Sequence, residues 1–117
     1  MISTGVHHVS INVVDNDAAR DFYVEVLGFE VLDRPDLGFP GSWLGVGGHQ
    51  QLHLMEMAMP EAKGQHFALA VDDIDAAVTI LRERGVDVPE PREIPGLCRQ
   101  TFLSDPSGNT VELNQQL

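Results

Sequence analysis

The sequence lacks what would cross-link the chain, carry it through a membrane or bind it to a polyanion. Cys98 is the only cysteine, so no intrachain disulfide can form, and a reducing cytoplasm is the simplest compartment. No apolar run approaches the ~18 residues that suggest a membrane span. Met1-Ile2-Ser3-Thr4 leads straight into a strand pattern, so no signal peptide is expected. Lysine and arginine number 7 against 18 aspartates and glutamates, a formal net charge of −11. That balance repels nucleic acid phosphates and anionic membrane surfaces, and a small molecule is the expected partner. A cationic ligand would be compatible with the acidity, as would a charge that only keeps the chain soluble.

What the chain does contain is a repeat. His8-Val-Ser-Ile-Asn-Val-Val-Asp15 returns as His66-Phe-Ala-Leu-Ala-Val-Asp-Asp73 at a spacing of 58 residues, from 8 to 66, and the Ala-Ala pair at 18 and 19 returns at 76 and 77. With 117 residues in all, and 43% hydrophobic against 21% charged, the chain is a single globular domain in which two modules share a core. The modules are expected over 4–57 and 65–117, joined by a linker over 58–64 that contains Pro60 and Gly64.

Each module reads as strand, helix, then three strands. In the first strand Val9, Ile11 and Val13 alternate with His8, Ser10 and Asn12, giving one face to pack and one polar face. Asp15 or Asp17 caps a helix of about three turns, with Ala19, Phe22, Tyr23 and Val26 on its apolar side and Gly28 at its end. Strands follow over 29–33, 42–46 and 51–57, with a loop over 35–41. In the second module a strand over 66–71 precedes a helix with Ile74, Ala77, Val78 and Leu81 on one stripe, ending at Gly85. Strands are expected over 86–88, 99–104 and 110–114, with a proline-rich loop over 89–96 and a turn at Asp105-Pro-Ser-Gly-Asn109.

The repeat also pairs residues that mean little alone. His53 corresponds to Glu112 at a spacing of 59, and each is flanked by apolar neighbours, Leu52 and Leu54 or Val111 and Leu113. His8, His53, His66 and Glu112 thus stand on the first and last strands of both modules, on the face away from the helices. Three imidazoles and a carboxylate suit Zn, Ni, Fe, Mn or Co as a divalent ion. Ligands drawn from several strands of a curved sheet leave a coordination position open for a substrate oxygen or water.

With Phe22-Tyr23, Leu27-Gly28-Phe29 and Asp105-Pro-Ser-Gly-Asn-Thr-Val-Glu-Leu113, these segments resemble the vicinal oxygen chelate superfamily. Glyoxalase I, extradiol dioxygenases, methylmalonyl-CoA epimerase, and fosfomycin and bleomycin resistance proteins belong to it. The resemblance implies an α+β fold, two βαβββ modules forming a cupped mixed sheet with helices on its outer face, and often a homodimer. It maps His8, His66 and Glu112 onto a two-histidine, one-carboxylate metal set and His53 onto a further ligand position. Glyoxalase I usually has Glu or Gln there, so His53 is a departure. A glyoxalase-type lyase or isomerase would act on a small α-oxo or hydroxy-carbonyl compound, or a thiol adduct of one, through a metal-stabilised enediolate. Glu112 is then the catalytic proton carrier.

Two other readings keep the fold. One is a ring-cleaving dioxygenase centre; the other is a metal-free, non-catalytic drug-binding protein, against which the complete ligand set argues. Fosfomycin-type phosphonate segments are absent. Trp43, Met55, Arg99 and Phe102 are candidates for a substrate pocket, as is Met57, although strand aromatics and methionines are more often plain core. Arg99 would bind a substrate carboxylate or pair with Asp105. His7 is expected to face away from His8, His49 to be solvated in a loop, and Cys98 to be structural.

Overall fold

A computed structural model describes residues 1–61 and 63–117. The linker expected over 58–64 includes Ala62, which lies outside the described residues. The chain divides into two compact units, Met1–Glu61 and Ala62–Leu117. In the first, strand β1 (His8–Val13) leads to helix α1 (Asn16–Asp21), which runs on into a wider π-helical turn over Phe22–Val26. Strands β2 (Glu30–Leu32), β3 (Gly41–Gly47) and β4 (Gln50–Glu56) follow. The second unit repeats the order with β5 (His66–Ala70), α2 (Ile74–Glu83), β6 (Arg92–Ile94), β7 (Cys98–Ser104) and β8 (Thr110–Gln116).

Each unit is a four-stranded mixed sheet, in the order β1-β4-β3-β2 or β5-β8-β7-β6, with the first and last strands parallel and the others antiparallel. This is the expected α+β duplication of βαβββ. The parallel pairing puts His8 beside Gln51 and Ser10 beside His53, while the antiparallel pairing puts Trp43 opposite His53 and Phe102 opposite Glu112. The helix-side faces hold the cores. Val13, Ala19, Tyr23, Leu44, Leu52 and Leu54 are buried in the first unit, and Ile74, Val78, Leu81, Leu103, Val111 and Leu113 in the second. Each fully buried side chain of this size contributes about 1.5–3 kcal/mol by leaving water. Val9 is exposed, because β1 becomes buried only toward its end at Val13.

The two units repeat their helix starts bond for bond. Asp15 Oδ1 accepts from the Ala18 N–H at 3.0 Å, and Asp73 Oδ1 from the Ala76 N–H at 3.1 Å. The last strand then reaches a second free N–H: Glu56 Oε2 accepts from Asn16 and Gln115 Oε1 from Ile74. Left-handed glycines follow both helices, Gly28 at φ 80° and Gly85 at φ 82°. The first helix departs from the expected regular three turns for a reason visible in the numbering. Gly28 stands 13 residues beyond its cap Asp15, whereas Gly85 stands 12 beyond Asp73. The π turn absorbs the extra residue, with Leu27 N–H reaching back five residues to the Phe22 carbonyl at 3.4 Å.

The short strand expected over 86–88 lies instead at β6, Arg92–Ile94. Residues 86–89 are already committed. Val86 N–H bonds to the Leu81 carbonyl at the helix end, and the Val88 carbonyl accepts from Arg82 Nε and Nη2. The Pro89 carbonyl accepts from the buried Thr101 hydroxyl at 2.8 Å. Among the described residues no helix is long and apolar enough to cross a membrane. Replacing the cap Asp73 by Ala should cost about 1 kcal/mol. A lower denaturant midpoint at unchanged slope is the expected measurement, since the compactness of the native state is not altered.

Candidate metal-binding half-sites

Strand alternation carries the site residues away from each core. In β4, Leu52 and Leu54 face the helix, so Gln51, His53 and Met55 share the other face. His53 is 8% exposed and lies between two rings. His8 stacks on it with centroids 4.0 Å apart and planes at 14°, and Trp43 stacks on it at 4.5 Å and 10°. Its Nε2 is 2.8 Å from Gln51 Oε1, two residues back on the same face. Burial, followed by the nearby His8, His7 and Arg34, lowers the His53 pKa below its ordinary 6.5. The neutral ring, with a lone pair to offer a metal, is therefore favoured near neutral pH.

In the second unit His66 Nε2 lies 3.1 Å from Glu112 Oε1. The other ring nitrogen, Nδ1, is 2.9 Å from the Gly64 carbonyl. Glu112 is nearly buried, and its Oε2 accepts from Asn114 Nδ2 at 2.7 Å, while Asn114 Oδ1 accepts from Gln116 Nε2 at 2.6 Å. The Phe102 ring meets His66 edge to face, with centroids 5.6 Å apart. Both nitrogens of His66 thus face oxygens that only accept. Such an arrangement is satisfied by a doubly protonated ring or by a cation taking the place of the Nε2 proton.

The donors suit a divalent ion on chemical grounds: imidazole and carboxylate converge, and each ligand candidate has an outer partner that orients it. They gather as pairs, His8 with His53 and His66 with Glu112. Among the described residues no group of three or more His, Cys, Asp or Glu is brought together. Of the expected pocket residues, Trp43 and Phe102 stand against these pairs, and Met55 lies half-buried on the His53 face.

Arg99 does not join them. Phe102 and Arg99 are three apart in β7 and so point to opposite faces. Arg99 lies on the side of Thr101 and Leu103, where Nη1 and Nη2 bind Asp75 of α2 at 2.7 and 3.0 Å. It pairs with Asp75 rather than with the expected Asp105. Asp105 instead closes its own turn, accepting from the backbone of Ser107 and Asn109. His7 also departs from expectation: it precedes β1 and is not held by strand alternation, and its Nδ1 lies 2.9 Å from that of His8. His49 is exposed in the turn before β4, Met57 is exposed, and Cys98 is a buried free thiol. Gln51, Asn114 and Gln116 escaped sequence reasoning, although each stands two or four residues along the strand from a candidate ligand.

A fold of two βαβββ modules with polar faces bearing histidine and carboxylate defines a glyoxalase-like protein. The chain belongs to the Glyoxalase/Bleomycin resistance protein/Dioxygenase superfamily, whose model matches residues 5–113. It is 33% identical to YaeR of Escherichia coli K12, with 95% of each chain covered. It is 30% identical to the probable lactoylglutathione lyase of Vibrio cholerae serotype O1, over 92% of this chain and 88% of that one. Among solved structures, TnmS3, an antibiotic binding protein from Streptomyces sp. CB03234, matches at 36% identity and a TM-score of 0.87, covering 100% of this chain and 99% of that one. The family therefore includes lyases and small-molecule binders.

The Arg99 pairing has a direct readout. Its hydrogen bond and charge hold the Asp75 carboxyl below the ordinary value of 3.8. In Arg99→Gln that carboxyl should titrate upward toward 3.8, as followed by the carboxyl carbon in an NMR pH series. The associated stability is present above the unfolded-state pKa and is lost as pH falls through the depressed folded value.

Proposed function

We propose that the protein is a metal-dependent enzyme of the glyoxalase I type, a lyase or isomerase acting on a small α-oxo or hydroxy-carbonyl compound or its thiol adduct. His8, His53, His66 and Glu112 are the ligand set for one kind of divalent ion, Zn, Ni, Fe, Mn or Co. The observation that carries this is the His66–Glu112 contact, 3.1 Å long, with His66 Nδ1 anchored on a backbone carbonyl and Glu112 Oε2 anchored on Asn114. Two acceptor-rich groups held against each other by separate outer partners suit a cation. When bound, such an ion supplies Lewis acidity that makes a C–H beside a substrate carbonyl easier to remove.

The chain's own residues supply the rest. Asn114 fixes one oxygen of Glu112, and Oε1, on swinging away from His66, is the atom that takes a proton from carbon and returns it to the neighbouring carbon. The near-burial of Glu112 keeps bulk water from competing for that proton. Trp43 and Phe102 offer apolar surface beside the two pairs. The protein is proposed to work in the cytoplasm as a homodimer. Lactoylglutathione lyases at about 30% identity support the activity.

A second reading, a non-catalytic small-molecule binder, is favoured by the 36% identity to TnmS3 over its whole length. Elemental analysis separates the two. The purified protein should carry about one divalent ion per chain, and His66→Ala should release it while keeping its fold by circular dichroism. Full metal retention in that variant would overturn the ligand assignment. Metal-free wild-type protein that cannot be loaded would favour the binder.

A further inference from the structure

Three of the six arginines in this acidic chain stand in ion pairs with carboxylates. Arg20 meets Asp17 and Asp21, Arg82 meets Glu90, and Arg99 meets Asp75. Arg34, in the connection between β2 and β3, is half-buried and pairs with no carboxylate among the described residues. Asp33 and Asp36 are near it in sequence without forming an ion pair to it, and Asp36 Oδ1 instead accepts from the Gly38 N–H at 2.9 Å.

The guanidinium is nevertheless fixed in place. Nη2 donates to the Phe39 carbonyl at 3.0 Å, and Cζ lies 5.0 Å from the centre of the Phe39 ring. It occupies the space over Gly41, where a Cβ would come within 2.9 Å of Nη2 and 3.1 Å of Cζ. Nε is buried without a hydrogen-bond partner among the described residues. A charge withdrawn from water without an opposite charge is costly, and the contacts that hold this one do not neutralise it.

Its location gives that uncompensated charge a use. Gly41 pairs with Met55 and Trp43 with His53, so by strand alternation Gly41, Trp43, His53 and Met55 share one face of the first sheet. The guanidinium at Gly41 therefore sits on the same face as the Trp43 and His53 rings. Within a chain of net charge −11 it is a local cation facing a polar, aromatic-walled surface.

We infer that Arg34 is the anchor for a carboxylate on the protein's small-molecule ligand, held on the Trp43 and His53 face of the first module. Among the described residues Nη1 makes no hydrogen bond, and Arg is suited to carboxylates by its planar fork. A carboxylate there compensates a half-buried charge that meets no carboxylate among the described residues. This deepens the function proposed above, on which it rests only for reading that face as the substrate face. It makes the substrate an anion, an α-oxo or α-hydroxy carboxylate or a conjugate bearing one.

The test needs no metal. The full chain, stripped with a chelator, is titrated with acetate, pyruvate and benzoate and with the matching neutral amides. The readouts are the fluorescence of Trp43, the only tryptophan, and the backbone amide shifts of residues 34–43. At least one carboxylate should bind saturably, about tenfold or more tighter than its amide, and Arg34→Gln should abolish that preference. Equal binding of acid and amide, no response by any of the six compounds, or a preference retained in Arg34→Gln would each overturn the inference. If Arg34→Gln does not fold, the acid-against-amide comparison and the shift map on the wild-type chain decide the matter. Metal retention in His66→Ala, which would defeat the ligand assignment, leaves this titration unaffected.

Discussion

Everything in these two modules depends on the alternation of side chains along a strand. A period of two puts Leu52 and Leu54, or Val111 and Leu113, under a helix, and in doing so forces His53 and Glu112 to the opposite face. The hydrophobic effect is non-directional, yet through this geometry it orients polar groups: slipping either strand by one residue would expose its two core side chains and bury its donor. Placement of the candidate ligands is thus enforced by the core, at a cost in stability for any other register that far exceeds what the polar face could contribute.

Holding a buried imidazole and a buried carboxylate on that face requires partners, because each unsatisfied polar group costs about 1–3 kcal/mol. The same alternation supplies them. Gln51 stands two residues from His53, and Asn114 and Gln116 stand two and four residues from Glu112, so His53 and Glu112 each have a hydrogen-bonding neighbour on their own strand. The cross-strand register adds a ring to each, Trp43 beside His53 and the Phe102 position opposite Glu112. The two modules have kept this plan while diverging in chemistry. One presents stacked imidazoles against an indole, the other an imidazole against a carboxylate.

Much of this was legible in the residues. The 58-residue repeat announced the duplicated module, and parity within it singled out His53 and Glu112. The cap of the first helix, narrowed to Asp15 or Asp17, and the terminal glycines were equally readable, since their roles depend on local backbone conformation. Arg99 shows the limit of reading by residue type. Grouping it with Phe102 ignored an odd spacing that sends them to opposite faces, and parity alone would have separated them. The strand expected over 86–88 failed differently: its residues look strand-like, but the end of the preceding helix takes them, Leu81 through the Val86 N–H and Arg82 through the Val88 carbonyl, while Thr101 holds the next carbonyl, that of Pro89. The π turn was visible only by counting one module against the other.

The sequence by itself determined the duplicated architecture, the faces of the strands and the candidate ligands, because these follow from short-range periodicity and from comparison of the chain with itself; the family followed from the resemblance of its motifs to known ones. Only the tertiary structure decided which donors meet. Stacking of His8 on His53, the His66 contact with Glu112, the diversion of Arg99 to Asp75 and the uncompensated charge of Arg34 over Gly41 all depend on register between strands and on side-chain reach. Those are set by the packing of residues far apart in the chain, where spacing along the sequence carries no distance.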